Sequence, residues 1–294
     1  MIKTTKNVKE ANCITHGGVF HADEVFATII LEDILDTDIT VARVLNVPEN
    51  VEDAIIYDIG GGDLDHHQRG GNGERKNGVP YASCGLVWNN FASNKYSEDE
   101  IDYIDKLLIQ TIDADDNGTI PKIDYCVNVV NICNIISWMN ATWDNNIDND
   151  EQFIKACNIA REIYKEAIKK ALSTLKATQY VNSAIDESSD GIVILDTFMP
   201  WQSALFKHEK CNEINFIIFP SKRGGYSCQC IPTEIGGFDQ RIPLPESWRG
   251  LSGEELEKVS GIEGAIFCHK AGFLCSNKTM AGAILMAMNA SGLY

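Results

Sequence analysis

Histidine and aspartate residues gather in two short segments of the chain, and side chains of these types can bind metal ions. Four of the six histidines fall in the two segments, so the clustering calls for a common explanation. Imidazole nitrogens and carboxylate oxygens that converge can hold two divalent cations and activate a water molecule for hydrolysis. The residue types therefore predict a two-metal hydrolytic centre. The first segment contains His16, His21 and Asp23, and the second contains Asp58, Asp65, His66 and His67.

Each segment follows a short apolar run that is typical of a buried strand. The first run is residues 12–15, which lead through a Gly-Gly turn into a predicted helix over 22–35. The second run is residues 54–57. Ligands bind outside the carboxyl ends of the strands in open α/β sheets. We therefore expect the two segments to meet at one edge of a sheet.

Asp58 stands at the end of the second run, where a buried carboxylate without a role would be costly. We expect it to bridge two cations. The side chains of the adjacent His66 and His67 diverge, so one of them can bind metal while the other faces the substrate. Asp65 could orient one of the two imidazoles through a hydrogen bond.

Strand and helix patterns alternate along the rest of the first half. A further strand is predicted over 39–44, and helices are predicted over 81–91, 98–112 and 126–139. A long helix is predicted over 153–180, between polar breaks at 144–150 and 183–190. Short strands are then predicted over 192–195, 215–219, 226–231 and 265–268, with helices near 203–207, 252–259 and 278–289. The alternation predicts an α/β protein with a mainly parallel sheet flanked by helices.

The change of pattern after the long helix predicts a second, smaller α/β domain. The predicted division is a metal-binding catalytic domain over 1–149, a connecting helix over 150–187 and a substrate-binding domain over 188–294. His269 follows an apolar strand and precedes a glycine turn, so it is the first candidate for binding a substrate phosphate. Four further candidates share a positive charge: Arg69, Arg223, Arg241 and Lys278. The large aromatic residues, with Trp201 and Trp248 among them, are expected in the core.

The net charge of −17 bears on the substrate, because a strongly acidic chain repels long polyanions. A nucleic acid must then be held by a local basic patch, by bound cations or only near its end. The charge therefore favours short oligonucleotides or small phosphorylated molecules as partners.

Ten cysteines lie scattered through apolar stretches, which favours reduced thiols in a cytoplasmic or nuclear protein over a disulfide framework. The first residues resemble a mitochondrial presequence only weakly, so a mitochondrial location stays a secondary alternative. No apolar run approaches the roughly 20 residues of a membrane span, and no membrane partner is expected. The oligomeric state is open, with a homo-oligomer as one alternative.

Asp65-His66-His67 resembles the signature triplet of the DHH phosphoesterase superfamily. The similarity is closer to one branch, the Myg exonuclease-like proteins, and extends over nearly the full chain. Six stretches carry it: THGGVFHADEVFA (15–27), DIGGGDLDHHQ (58–68), NGVPYASCGLVW (77–88), DADDNG (113–118), RIPLPESWRG (241–250) and FCHKAGFLCSNKTM (267–280). The resemblance implies a DHH-phosphoesterase-like fold.

The resemblance also implies roles for single residues. Asp116 is the implied later aspartate ligand, with Asp113 as second choice, and His67 is implied to face the scissile phosphate. The first motif departs from the superfamily, because His21 stands within it as an additional imidazole. Manganese is the expected ion, with magnesium, cobalt, iron or zinc as alternatives. The additional imidazole favours iron, cobalt or zinc among these alternatives. The implied ligands of two metal ions are His16, His21, Asp23, Asp58, His66 and Asp116.

The resemblance implies a metal-dependent phosphodiester hydrolase, an exonuclease-type enzyme that acts on RNA or DNA ends through a metal-activated water. Two alternatives remain. A small-molecule phosphatase or pyrophosphatase would use the same ligands on a smaller substrate. A non-catalytic protein that binds metal or nucleotide for regulation is the second, and it would not need two metals with open coordination positions.

Overall fold

The computed structural model describes residues 1–49, 51, 53–121, 126–145 and 147–293. The chain divides into two compact units, Met1–Leu172 and Ser173–Tyr294. Each unit contains its own hydrophobic core. The functional division into a catalytic and a substrate-binding domain stays a prediction.

A four-stranded parallel sheet lies at the centre of the first unit. Its strands are β1 (Ile2–Thr5), β2 (Cys13–His16), β3 (Ile39–Val44) and β4 (Ile55–Ile56), in the order β1-β3-β2-β4. The strands predicted over 12–15, 39–44 and 54–57 are thereby confirmed. Strand β1 was not predicted, because its four residues include only one buried apolar side chain, Ile2.

Five shorter helices of the first unit surround or follow this sheet. They are α1 (Ala22–Leu35), α2 (Ser83–Phe91), α3 (Glu98–Ile104), α4 (Gln110–Asp116) and α5 (Ile132–Ser137), with 3-10 turns at Val8–Glu10 and Ala92–Asn94. A π-helical segment, Asp105–Ile109, separates α3 from α4. The single helix predicted over 98–112 is therefore interrupted and continues to Asp116.

Helix α5 is shorter than the helix predicted over 126–139. The residues that precede it include Val127, Val129 and Val130, which are exposed and β-branched. Such side chains lose rotamer freedom in a helix and gain nothing from packing here, so the helix begins only at Ile132.

Helix α6 (Asn149–Asp186) is longer at both ends than the predicted 153–180. The polar breaks at 144–150 and 183–190 are therefore partly helical. Packing explains the difference: Phe153 lies in the core of the first unit, and Val181 and Ile185 lie in a core of the second. Buried apolar contacts stabilise helices more than local sequence preference does.

A five-stranded mixed sheet forms the second unit. Its strands are β5 (Ile192–Ile194), β6 (Phe216–Pro220), β7 (Tyr226–Cys230), β8 (Ala265–Cys268) and β9 (Leu274–Asn277), in the order β5-β6-β7-β9-β8. Only β5 and β6 pair in parallel. The helices are α7 (Gln202–Leu205), α8 (Gly253–Ser260) and α9 (Met280–Ala290), with 3-10 turns at Cys211–Glu213 and Glu246–Trp248.

The prediction of an α/β protein with a parallel sheet and flanking helices is confirmed. Strand β9 was missed, since a four-residue strand that ends in Ser276 and Asn277 gives little apolar signal. Trp201 and Trp248 are buried, as expected. Within the described residues, every helix is too short or too polar to cross a lipid bilayer.

Candidate metal centre

His16 is placed by the end of strand β2 and by the glycine loop that follows. The Gly17 amide donates a hydrogen bond to the Val44 carbonyl oxygen at 2.6 Å, which extends the pairing with β3 by one residue. Gly18 has a φ of +90°, a conformation that favours glycine, and its carbonyl oxygen accepts a hydrogen bond from the buried Arg43 side chain at 3.0 Å. Two hydrogen bonds therefore tie the loop that follows His16 to strand β3.

The start of helix α1 positions three more side chains of the first segment. His21 is the N-cap, and its amide donates to Oε2 of Glu24 at 2.8 Å. Asp23 and Glu24 are 1% and 0% exposed, although both have acidic side chains. The other oxygen of Glu24, Oε1, lies 2.9 Å from Nε2 of His16.

Glu24 was not predicted as a site residue. Its position three residues after an N-cap predicts that one carboxylate oxygen accepts a capping hydrogen bond. The capping role gives no indication that the second oxygen faces His16. The signal that remained in the sequence was a third acidic or imidazole side chain beside His21 and Asp23.

Asp58 lies directly beyond strand β4 and faces two histidines from different segments. Its Oδ2 is 3.2 Å from Nε2 of His16, and its Oδ1 is 3.3 Å from Nε2 of His66. The Ser83 hydroxyl, at the start of α2, donates to Oδ1 at 3.0 Å. Asp58 has a φ of +58°, a strained conformation that aspartate tolerates better than most residues. The surroundings therefore hold this carboxylate between the two imidazoles.

His66 completes the second side of the cluster with two further carboxylates. Its Nε2 lies 3.2 Å from Oδ2 of Asp116 and 3.7 Å from Oδ2 of Asp23. The imidazole of His21 reaches both sides: it groups with His16 and Glu24, and also with Asp23 and Asp116. In each group the candidate ligand atoms lie within 4.8 Å of one another.

Buried polar atoms that lack hydrogen-bond partners indicate that the cluster fits divalent cations. Five buried polar atoms of the cluster have no hydrogen-bond partner among the described residues: both carboxylate oxygens of Asp23, Oε1 of Glu24, Oδ2 of Asp58 and Nε2 of His66. Ligand atoms about 2.1 Å from one ion lie roughly 3.0–3.4 Å apart in tetrahedral or octahedral geometry. The separations of 2.9–3.3 Å around Asp58 are of this size.

The charges of the cluster are poorly balanced without a cation. Burial, together with the neighbouring Asp58 and Glu24 carboxylates, raises the pKa of Asp23 well above its usual value. Burial alone would lower the pKa of His16, but the Asp58 and Glu24 carboxylates outweigh it and raise this pKa to about 10. Burial opposes ionisation of Asp58, yet His16 and His66 hold its pKa below the usual range. The same carboxylates that raise the pKa of His16 and Asp23 would be neutralised by a bound cation.

His67 is mostly exposed but stays close to the cluster, because its Nδ1 lies 3.5 Å from Oδ1 of Asp58 and it groups with Asp58 and His66 as a possible metal-binding set. Its Nδ1 lies 2.8 Å from Oδ1 of Asp65, and its amide donates to the same oxygen at 3.0 Å. The second oxygen of Asp65 accepts a hydrogen bond from the Gly61 amide at 2.7 Å. Asp65 therefore fixes the ring of His67 with one face toward solvent, in the arrangement expected of an orienting carboxylate.

A cleft of about 390 Å³ opens beside the cluster. Helix α5 forms one wall with Cys133, Asn134 and Ser137. The side of the cluster is formed by His21, His66, His67 and Asp116. No lysine or arginine is among the described residues that line this cleft. It offers access to the cluster, but no local positive side chain.

Asp113, the second choice for the metal-binding aspartate, faces elsewhere. Its Oδ1 accepts a hydrogen bond from the Gly85 amide at 2.9 Å, and its Oδ2 lies 2.8 Å from the guanidinium of Arg75. A side chain at Gly85 would place a Cβ 1.8 Å from Oδ2 of Asp113, so only glycine fits. Arg75 also pairs with Asp105 at 2.6 Å and lies over the ring of Tyr81.

The five candidate phosphate-binding residues have separate surroundings. Arg69, in the first unit, is exposed. In the second unit, Arg241 is engaged structurally, because its guanidinium donates to the carbonyl oxygens of Cys211 and Ile214. Arg223 lies exposed in a turn, and Nζ of Lys278 is 3.9 Å from Glu257. His269 is half-buried beside Phe273. Their part in binding substrate stays a prediction.

Comparison with known proteins connects this geometry to a family. Residues 12–290 match the sequence model MYG1_exonuc, described as "Uncharacterised protein family (UPF0160)". The chain is 31% identical to the "MYG1 protein" of Dictyostelium discoideum, over 93% of this chain and 94% of that protein. It is 30% identical to "MYG1 protein YER156C" of Saccharomyces cerevisiae, over 95% and 94%. It is 28% identical to the human "MYG1 exonuclease", over 93% and 84%. No solved structure matches the chain.

Proposed function

The chain belongs to the MYG1_exonuc family, and from this premise we propose that it is a metal-dependent phosphodiester hydrolase of the exonuclease type. The proposed substrate is the end of an RNA or DNA strand. The single observation that supports it most is the position of Asp58. Each of its oxygens faces a different histidine, as a carboxylate that bridges two cations requires. The name of the human relative supports the word exonuclease.

The proposed ion ligands divide into two sets around Asp58. His16 and Glu24 lie on the side of Oδ2, and His66 and Asp116 lie on the side of Oδ1. His21 and Asp23 complete the sets, since their ligand atoms reach both. Two divalent cations, with manganese expected first, would supply an activated water and neutralise the phosphate charge.

The protein's own groups would do the remaining work. Ser83 holds the Asp58 carboxylate in place through its hydroxyl. The exposed ring of His67, oriented by Asp65, would donate a hydrogen bond to a phosphate oxygen or a proton to the leaving group. The half-buried His269 of the second unit stays a candidate for a phosphate contact.

A small-molecule phosphatase or pyrophosphatase is the second candidate. The cleft favours a small substrate in one respect. Its volume is about 390 Å³, and its described lining contains no lysine or arginine. A long strand would find no cationic side chains there. The two candidates share their metal chemistry and differ in substrate size.

A substrate panel on wild type and two variants tests the proposal. We expect end-labelled oligonucleotides to be shortened in the presence of Mn²⁺, and inorganic pyrophosphate to be hydrolysed far more slowly. Asp58→Asn should lower kcat by about a thousandfold or more and reduce the metal content, because the bridging carboxylate is lost. His67→Ala should lower kcat by about a hundredfold while both metals are retained.

The comparison between the two variants is the control, because both alter the same cluster and only one alters a proposed ligand. Circular dichroism would verify that both remain folded. Pyrophosphate as the preferred substrate would replace the first candidate by the second. Oligonucleotide hydrolysis at the wild-type rate by Asp58→Asn would refute the metal mechanism.

A further inference from the structure

Exposed apolar side chains concentrate in one stretch of the first unit, residues 120–147. Trp138 and Trp143 are 67% and 97% exposed, whereas the other three tryptophans of the chain are buried. The expectation that the large aromatics lie in the core is therefore wrong for these two. Further exposed apolar side chains in the stretch are Ile120, Val127, Val129, Val130, Ile135 and Ile147.

This stretch is attached to the loop that carries the metal ligands. The side-chain amide of Asn140 donates to the carbonyl oxygen of Phe20 at 2.8 Å and accepts from the Phe20 amide at 2.9 Å. Phe20 directly precedes His21. The two hydrogen bonds therefore hold Trp138, two residues before Asn140, close to the metal centre.

Helix α5 places its exposed apolar face next to the cleft. Asn134 and Ser137, three residues apart, line the cleft beside the proposed metal ligands. Ile135 and Trp138 are each one residue later and are exposed. Residues three apart share a helix face, so the second pair forms a strip that borders the first. Trp138 directly follows Ser137, a residue that lines the cleft, and caps the end of α5.

Trp143 is held in a turn rather than on a loose loop. The Ala141 amide donates to Oδ1 of Asn149 at 2.9 Å, at the start of α6. The Thr142 hydroxyl donates to Asp144 at 2.6 Å and closes the turn around Trp143. The backbone on both sides of Trp143 is thus held in place, so that this segment loses little conformational freedom when a ligand binds.

The charge around the cleft indicates what kind of ligand these rings suit. The chain carries a net charge of −17, and the described lining of the cleft has no lysine or arginine. Beyond the phosphate that would meet the metal ions, a nucleic-acid strand can gain binding energy from its bases. Nucleobases are uncharged and present flat faces, and aromatic side chains stack on them with little dependence on sequence.

We propose that Trp138 and Trp143 stack on the unpaired bases of a single nucleic-acid strand whose terminal phosphodiester lies at the metal centre. This inference rests on the proposed function and names its substrate class as single-stranded. It also assigns a task to an aromatic surface that would otherwise be exposed without cause. A second copy of this chain is the competing occupant of the same surface.

Binding of two pentamers tests the proposal on the full-length protein with Mn²⁺. One is a fluorescein-labelled thymidine pentamer with hydrolysis-resistant phosphorothioate linkages, and the other has the same backbone without bases. Trp138→Leu and Trp143→Leu should each raise the Kd of the first pentamer by about 5- to 150-fold, as the loss of one stacked base predicts. Both variants should bind the abasic pentamer as wild type does. Tryptophan-to-phenylalanine substitutions should restore part of the affinity, since an aromatic face remains.

Phe238→Leu is the matched control, because Phe238 is 96% exposed and has no proposed role. It should leave both Kd values unchanged. Equal affinity of wild type for the two pentamers would overturn the stacking proposal. So would a dimer in sedimentation velocity that the leucine variants convert to monomers with the base preference intact. Hydrolysis is measured separately on a phosphodiester-linked pentamer: base-dependent binding without hydrolysis would contradict the proposed function and leave the stacking inference standing.

Discussion

Two groups of buried carboxylates lie in the first unit, and they differ in what faces them. In the paired group, Asp105 and Asp113 share the guanidinium of Arg75 at 2.6 and 2.8 Å. The open group contains the carboxylates of Asp23, Glu24, Asp58 and Asp116 with the imidazoles of His16 and His66. None of these carboxylates has a lysine or arginine partner among the described residues. Burial of acidic groups therefore does not by itself identify a metal site. The absence of a protein cation beside them is the informative feature.

Helix α4 carries one carboxylate of the paired group and one of the open group. Asp113 pairs with Arg75, and Asp116, three residues later, lies 3.2 Å from His66 of the open group. The ion pair of Asp113 therefore fixes the helix that presents Asp116. Because Gly85 allows the close approach of Asp113, the paired group acts as a support for the open one.

The π-helical segment Asp105–Ile109 makes the paired group geometrically feasible. In a regular α-helix, residues 105 and 113 would point about 80° apart. One extra residue in the turn reduces this to about 20°, so both carboxylates reach the same guanidinium. Such an insertion is common at functional sites, and here it serves a neighbour of the site.

Removal of the shared guanidinium should have the largest effect on stability. Arg75→Met leaves the buried Asp113 and the half-buried Asp105 without their cation, so we expect the free energy of unfolding to fall by about 3–5 kcal/mol at pH 8. Lys106→Met is the matched control, since the exposed Lys106–Asp102 pair at 3.8 Å should contribute less than about 1 kcal/mol. Urea unfolding with chelator present measures both. Similar small losses for the two variants would mean that the paired group does not support α4.

Substitution by asparagine should have opposite signs in the two groups. Burial raises the pKa of Asp113 to about 7 in spite of Arg75 and the Gly85 amide, so its ionised form also carries a burial cost at pH 8. Asp113→Asn nevertheless places an amide donor against the Arg75 guanidinium or the Gly85 amide, and we expect a net loss of about 1.5–3 kcal/mol. Asp23→Asn removes a charge that burial and its neighbours disfavour, so the metal-free variant should gain about 1 kcal/mol. The sign follows because a carboxyl with a raised pKa costs stability once the pH exceeds its unfolded value. A loss of stability in metal-free Asp23→Asn would show that the two groups do not differ in the sign of this effect.

The affinity for metal should also rise with pH. Despite burial, the Asp58 and Glu24 carboxylates raise the pKa of His16 to about 10, so His16 must lose a proton to become a ligand. Each proton released makes binding about tenfold tighter per pH unit between pH 6 and 8. Calorimetric titration of Mn²⁺ in buffers of different ionisation enthalpy measures the protons released. An affinity independent of pH would show that His16 is already neutral in the metal-free protein.

The sequence predicted the open group better than its support. The strand ends after 12–15 and 54–57 placed His16 and Asp58 correctly at one edge of the sheet, because apolar runs and parallel pairing follow simple rules. The choice between Asp113 and Asp116 could not be decided from the local sequence. It depends on the π-helical segment and on Arg75, a residue from a distant loop.

Other features escaped prediction because they arise from packing that local patterns do not reveal. Glu24 has an ordinary capping role that hides its second oxygen. Trp138 is exposed because α5 ends at Ser137, earlier than the predicted helix. The ends of α6 extend through polar residues because distant apolar side chains cover them.

Anomalous diffraction from crystals grown with Mn²⁺ tests the central claim most directly, namely that the open group holds two cations around Asp58. We predict two anomalous peaks about 3.5–4 Å apart, one on the side of His16 and Glu24 and the other on the side of His66 and Asp116. The paired group around Arg75 should show no peak. A map without peaks at Asp58, or with a peak beside Asp113 instead, would contradict the account.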